Sequence, residues 1–230
     1  MHARNRTVVR CLLTSCCLLV ALILATAAAA VSEAETIYDT TSSTTLLDID
    51  VSPAVKQATR FQTTASEFIV TGMSFQLKLD DSGEPPDPAT GILNWLIYTD
   101  NGELPVLPIP GGPIFDLDVS TLSAAYSTVS TGPLNVSLSP LTTYWLVLNG
   151  QSLTSGILQV QEALNPTGTG SPFGAASSTT GTSWSGHSSQ AAVGTITAVP
   201  EPGPAALAAI GAGLVSLMWW RRLRTAPAAA

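Results

Sequence analysis

Through most of the body of this chain, apolar side chains return at every second position. Met73, Phe75, Leu77 and Leu79 alternate with Ser74, Gln76 and Lys78. Leu93, Trp95 and Ile97 alternate with Asn94, Leu96 and Tyr98, and Leu134, Val136 and Leu138 with Asn135, Ser137 and Ser139. Leu158 and Val160 alternate with Gln159 and Gln161, and 144–148 is a short bulky run of β-forming residues. Successive side chains of a strand point to opposite faces, so this period predicts strands with a buried face. Turn-forming groups separate them: Asp81-Ser82-Gly83, Asp100-Asn101-Gly102, Gly111-Gly112-Pro113, Thr131-Gly132-Pro133 and Asn149-Gly150. No stretch of 31–200 carries the 3.6-residue period of an amphipathic helix. The pattern predicts an all-β fold, an antiparallel β-sandwich of jelly-roll-like topology, and leaves the strand order open.

Two stretches lack the pattern. Residues 40–45 are a polar Ser/Thr cluster, and 168–189 are rich in Gly, Ser and Thr with only Phe173 and Trp184 as large apolar residues. The second is expected to be a long loop, followed by a final strand near 190–198. The sandwich is therefore expected to occupy 31–198, a span suited to one domain.

The two ends have a different character. Arg4, Arg6 and Arg10 precede the apolar run 12–24, and small residues fill 27–30. This is the pattern of a secretory signal peptide over 1–30, a signal helix removed so that the mature chain begins near Val31 or Ser32. All three cysteines, Cys11, Cys16 and Cys17, fall inside it. The mature region has none, which excludes disulfide scaffolds, thiolate zinc sites and thiol catalysis. At the other end, 204–220 is uncharged and would span roughly 25 Å as a helix, a little less than the hydrocarbon core. Trp219 and Trp220 suit the membrane interface, and Arg221, Arg222 and Arg224 suit its cytoplasmic side as a membrane stop. A transmembrane helix over 204–220 would leave 225–230 as a cytoplasmic tail and 31 to about 200 outside, the topology that the N-terminal arginines also require.

Val199-Pro200-Glu201-Pro202, the Gly/Ala/Leu-rich segment and the arginine cluster, taken in that order, resemble the PEP-CTERM sorting signal of Gram-negative bacteria, over 199–224. The resemblance implies a sorting motif at Pro200, Glu201 and Pro202, Sec-dependent export, temporary anchoring in the inner membrane and cleavage near the motif by an exosortase. It also implies association with exopolysaccharide and biofilm, on the cell surface or in the extracellular matrix.

Between 31 and 200, three basic side chains (Lys56, Arg60 and Lys78) face fifteen acidic ones, a net charge of −12. Such a surface repels phosphate backbones, so nucleic acid is excluded as a partner class. Basic proteins, cations and neutral polysaccharides are left, and so is a plain role in solubility.

Within the body, Thr36-Ile37-Tyr38-Asp39, Trp95-Leu96-Ile97-Tyr98-Thr99-Asp100-Asn101-Gly102 and Leu141-Thr142-Thr143-Tyr144-Trp145-Leu146-Val147-Leu148 resemble the choice-of-anchor R type domain of bacterial surface proteins, over 36–198. The chain departs from that pattern in its proline-rich inserts at 84–88 and 105–113. The resemblance implies a surface β-sandwich and supplies neither a ligand nor catalytic residues.

Little else in the body points to chemistry. His187 is the single histidine after the signal segment, and no G-x-S-x-G elbow accompanies it, so a nucleophilic triad is not expected. Glu67, Glu84, Glu103 and Glu162, with the aspartates, supply carboxylates that a glycoside hydrolase would need, without any pattern that selects a pair. Asp80, Asp81, Glu84 and Asp87 cluster in one segment, and Asp48 with Asp50 and Asp116 with Asp118 are i,i+2 pairs. These are the calcium candidates, since calcium takes several hard oxygen ligands. No other cofactor is expected. Among the aromatic residues, Trp184 in its polar stretch is the candidate for stacking on a sugar ring. The expectation is a non-enzymatic surface or matrix protein. A carbohydrate- or calcium-binding module is the alternative, and a secreted glycoside hydrolase is a third reading.

Overall fold

The alternating segments fold into strands that share a single core. The computed structural model describes residues 34–65, 68–80, 89–169, 173–179 and 183–200, with 208, 211–216 and 218 in the tail. Residues Ala34–Val199 form one compact unit, and the two chain ends are grouped apart from it. The expected signal segment, Glu201, Pro202, the three tail arginines, Asp81, Glu84 and Asp87 lie outside the described residues. The described tail residues are helical, and Ser216 Oγ donates to the Ala212 carbonyl at 2.8 Å. Among the described residues, no helix is long and apolar enough to cross a membrane.

The strands of Ala34–Val199 lie in two sheets. The first runs β1 (Glu35–Asp39), β16 (Gly194–Pro200), β4 (Phe68–Leu79), β12 (Leu158–Leu164) and β15 (Gln190–Ala192). In it, β2 (Leu46–Val51) also pairs with β12, and β8 (Ser127–Ser130) and β9 (Val136–Leu138) pair with β4. The second runs β11 (Leu153–Ser155), β5 (Thr90–Asp100), β10 (Thr143–Asn149), β3 (Lys56–Gln62), β13 (Ala175–Ser178) and β14 (Ser185–His187). Here β6 (Pro105–Pro108) and β7 (Phe115–Asp118) pair with β5. The registered pairings are antiparallel, as between β10 and β5, where Trp145 faces Tyr98 and Val147 faces Leu96.

One apolar core joins the sheets. The first contributes Ile37, Val70, Met73, Phe75, Leu77, Val160 and Ile196, and the second Phe61, Leu93, Trp95, Ile97, Leu146 and Leu148. Aromatic rings interlock across the gap. Phe75 meets Trp95 edge-on at 5.5 Å, and Tyr38 meets Phe61 at 6.4 Å. Each such pair adds about 0.5–1.5 kcal/mol beyond the area it buries. The Tyr38 hydroxyl reaches Thr59 Oγ1 of the opposite sheet at 3.1 Å and also donates to the Ala192 carbonyl, so a polar stitch runs through the apolar layer.

The structure departs from the sequence expectation over 168–189. Residues 168–189 are not one loop, because β13 and β14 form a hairpin that extends the second sheet beyond β3. Its strands read Ala-Ala-Ser-Ser and Ser-Gly-His, with too little hydrophobic contrast to show a period, yet Ala175 and Ala176 are both buried because neighbours cover each face. The hairpin follows a tight backbone crossing. Gly168 (φ +134°) sits where a Cβ would stand 1.9 Å from the Asp39 carbonyl oxygen. Asn149-Gly150, expected as a turn signal, lies at the break between β10 and β11, where a 3-10 turn (Gly150–Ser152) is capped by the Asn149 side chain.

Candidate functional site

Charged and polar side chains gather at three places, each set by strand register. The first lies on the outer face of the second sheet. Residues directly opposite on antiparallel strands share a face, and Trp145 on β10 stands between Arg60 on β3 and Tyr98 on β5. Asp100, two residues beyond Tyr98, is on the same face. Its Oδ1 accepts from Trp145 Nε1 at 2.6 Å, and its Oδ2 accepts from Arg60 Nη2 at 3.1 Å and from the Gly102 amide at 2.8 Å. Arg60 Nη2 also donates to the Gly102 carbonyl at 2.9 Å, and the guanidinium lies 5.8 Å from the Trp145 ring centroid. Arg60 Nε is buried without a hydrogen-bond partner among the described residues.

The segments 98–102 and 144–145, read separately in the sequence, thus meet in this constellation. Asp100 closes the turn after β5 and pins a buried tryptophan on β10. With its oxygens committed to three donors, it has the environment of a structural carboxylate rather than of a general base. Around it, Ala58, Leu96, Tyr98, Trp145, Val147 and Ala176 form a second apolar cluster, with Leu104 and Trp184 packed against it. Trp184 therefore differs from its expected setting in a polar loop. It is half-buried beside β14 and in edge-to-face contact with Tyr98 at 6.3 Å, so only part of its surface faces solvent.

The second place is the outer face of the first sheet. Asp48 accepts from Lys78 Nζ at 2.9 Å and from the Tyr126 hydroxyl at 2.8 Å, and Lys78 lies 4.6 Å from the Tyr126 ring centroid. These hydrogen bonds, Lys78 first, hold the Asp48 carboxyl below the usual range, while burial and then Asp48 push the Tyr126 phenol up. Asp50 accepts from Gln159 Nε2 at 3.0 Å. On the second sheet, Asp116 accepts from Asn94 Nδ2 at 2.7 Å, and Asp118 caps the 3-10 turn Val119–Thr121 through the Ser120 amide. Both i,i+2 aspartate pairs are thus engaged in protein hydrogen bonds. Of the calcium candidates at 80–87, only Asp80 is among the described residues. Among the described residues, no three His, Cys, Asp or Glu side chains come together as a metal cluster.

The third place lies between the sheets at their β2/β15 and β13/β14 edge. A cavity of about 140 Å³ is lined by Ile49, Gln57, Glu162, Ala175, Ser177, His187 and Gln190. Register explains the assembly. Glu162 continues the inward series Leu158 and Val160 on β12, Gln57 shares the inward face of β3 with Thr59 and Phe61, and Ser177 faces Gln57 on β13. His187 faces Ala175 from β14. Glu162 is 2% exposed, receives no hydrogen bond on its side chain from a described residue, and is pushed by burial up to about 7. Gln57 Nε2 donates to the Asp50 carbonyl at 3.0 Å. No hydrogen bond joins Ser177, His187 and Glu162, so the three do not form a nucleophilic relay.

Glu162 was one undistinguished carboxylate among several in the sequence. The signal that could have separated it was there, since the period-two pattern of Leu158 and Val160 runs on to 162. A larger groove of about 610 Å³ lies between 109–114 and 133–137, walled by Ile109, Ile114, Leu134 and Val136, and carries no titratable side chain. No protein-family model matches the chain, and no curated protein does.

Proposed function

We infer that this is an exported, non-enzymatic protein of a Gram-negative cell surface or extracellular matrix. In this reading its jelly-roll-like sandwich is carried between a signal helix and a PEP-CTERM-type tail with a transmembrane helix. A signal peptide brings the chain to the Sec machinery. The segment 204–220 holds it temporarily in the inner membrane, and an exosortase acts near Pro200, Glu201 and Pro202. The mature domain then associates with exopolysaccharide or biofilm. The observation that carries the reading is the ordered tail of proline motif, apolar segment and Arg221, Arg222 and Arg224. The fold supports it: Glu35 pairs with Ala198, so the strand nearest the signal segment and the strand entering the motif meet side by side. A sandwich whose two ends leave together is suited to being held at one pole. A non-enzymatic role is supported by the engagement of Asp48, Asp100, Asp116 and Asp118 in structural hydrogen bonds.

Intact-mass analysis of the protein from its native host tests this. The expected species lacks the signal segment and ends near the Pro-Glu-Pro motif. A population complete to Ala230 overturns the sorting reading.

A binding role for the domain is the second reading, favoured by the cavity beside Glu162.

A further inference from the structure

The geometry points to the edge cavity between the sheets as a binding site for a small primary ammonium ion, held by the Glu162 carboxylate among the side-chain oxygens of Gln57, Ser177 and Gln190. Three observations carry this. First, Glu162 is 2% exposed and lines the cavity, with no donor to its side chain among the described residues. Burial disfavours the charged form of such a carboxyl, and a ligand that supplies positive charge and N–H donors through the cavity offsets that cost.

Second, the surroundings are rich in acceptors. Gln57 lines the cavity, and with one N–H of its amide bonded to the Asp50 carbonyl its side-chain oxygen is an available acceptor. Ser177 and Gln190 line the same space, and Ile49 and Ala175 give an apolar wall for a short alkyl group. Third, the charge matches. One carboxylate balances one ammonium, whose three N–H donors need three acceptors. A divalent cation would take six or more oxygens and retain excess charge in a buried space. The volume of about 140 Å³ admits a small molecule only.

The ionisation of Glu162 links binding to pH. Its carboxyl is pushed by burial up to about 7, so the charged form that attracts an ammonium grows as pH rises through that value. The other titratable groups near it are His187, which lines the cavity, and the Tyr38 phenol, whose hydroxyl is engaged with Ala192 and Thr59. Asp48 and Asp50 of β2 have partners on the outer face of the first sheet, and Lys56 and Arg60 of β3 share the outer face with Ala58. Binding therefore strengthens as pH rises through the Glu162 midpoint toward pH 8.

The test uses the full chain in detergent micelles, selectively 13C-labelled at glutamate carboxyls, titrated by NMR with methylammonium chloride. The expected result is saturable lowering of the Glu162 midpoint by at least one pH unit, with a rise in melting temperature at pH 8. Tetramethylammonium, of equal charge but without N–H donors, is expected to do neither. Glu162→Gln, which keeps the shape of the protonated side chain, should abolish the melting shift. An unchanged midpoint in the wild-type chain overturns the proposal without any variant. So does an equal effect of tetramethylammonium, which would reduce the effect to ionic strength. A midpoint lowered by calcium chloride but not by methylammonium overturns it in favour of a metal, and an unchanged methylammonium response in Glu162→Gln places the binding elsewhere.

Discussion

Asp100 and Glu162 are both withdrawn from solvent, and their surroundings are opposite. Asp100 lies under the outer cluster of the second sheet and accepts from an arginine, a tryptophan and a backbone amide. Glu162 lies between the sheets, takes no donor from a described side chain, and is pushed up to about 7 by burial alone. The difference teaches that burial of a carboxylate does not by itself mark a site. Where donors surround it, the group organises the fold. Where they are missing, it is poised for a proton or a ligand.

The largest expected effect tests the partnered side. Asp100→Ala leaves the Arg60 charge and the Trp145 N–H without their acceptor in a largely buried setting. It should cost roughly 3–5 kcal/mol of stability in urea denaturation, as broken buried ion pairs do. A loss below 1 kcal/mol would break the comparison by showing that Asp100 is no more structural than Glu162.

Next comes the unpartnered side, read through pH. The folded-state pKa of Glu162 is raised above its ordinary value of 4.5, so its protonated form favours folding. That stability is present below the unfolded pKa and is lost as pH rises toward about 7, on the order of 3 kcal/mol in all. Glu162→Gln should flatten this slope and leave the chain more stable than wild type at pH 8. Denaturation curves at pH 4.5, 6 and 8 measure it, and identical slopes in both chains would remove the distinction.

A smaller effect isolates one donor. Trp145→Phe keeps most of the ring and removes Nε1, so about 1–2 kcal/mol should be lost by urea denaturation. Adding Trp145→Phe to Asp100→Ala should cost little more, since the Trp145–Asp100 hydrogen bond is already lost in the Asp100→Ala chain. The smallest effect concerns Trp184. Its Ala variant gives up an edge-to-face contact of about 0.5–1.5 kcal/mol. If its exposed part also stacks on sugar, binding of the host polysaccharide in sedimentation assays should fall by more than this loss of stability explains.

Much of the fold was legible because the signal was geometric. Leu77, Trp95 and Val160 fall on a period of two, and each is buried in the shared core. The doubly covered strands were harder. Leu96 and Val147 are buried on the outer face because Leu104, Trp184 and the β13–β14 hairpin pack there, and none of those contacts is local in sequence. The hairpin itself escaped notice because a strand of Ala and Ser carries almost no hydrophobic contrast. As for the sites, the sequence placed Asp100 in a turn but not its distant partners, Arg60 and Trp145. It offered Glu162 without distinction, because a lone charged residue at an inward position resembles an interruption of the pattern. Calcium drew attention to Asp48, Asp50, Asp116 and Asp118, whose commitments to Lys78, Gln159, Asn94 and Ser120 depend on neighbours that only the folded chain supplies.

The last strand has a mechanical consequence. β16 lies between β1 and β4, with Thr71, Gly72 and Ser74 bonded to Thr197 and Thr195 on one flank and the β1 ladder on the other. The chain then leaves through Pro200 toward the tail. A pull along the axis of β16 works against both neighbours at once. The ladder bonds then resist together in shear, instead of parting one at a time as they would at a peeling edge. An inner strand thus passes tension into the sheet before it can unravel the chain.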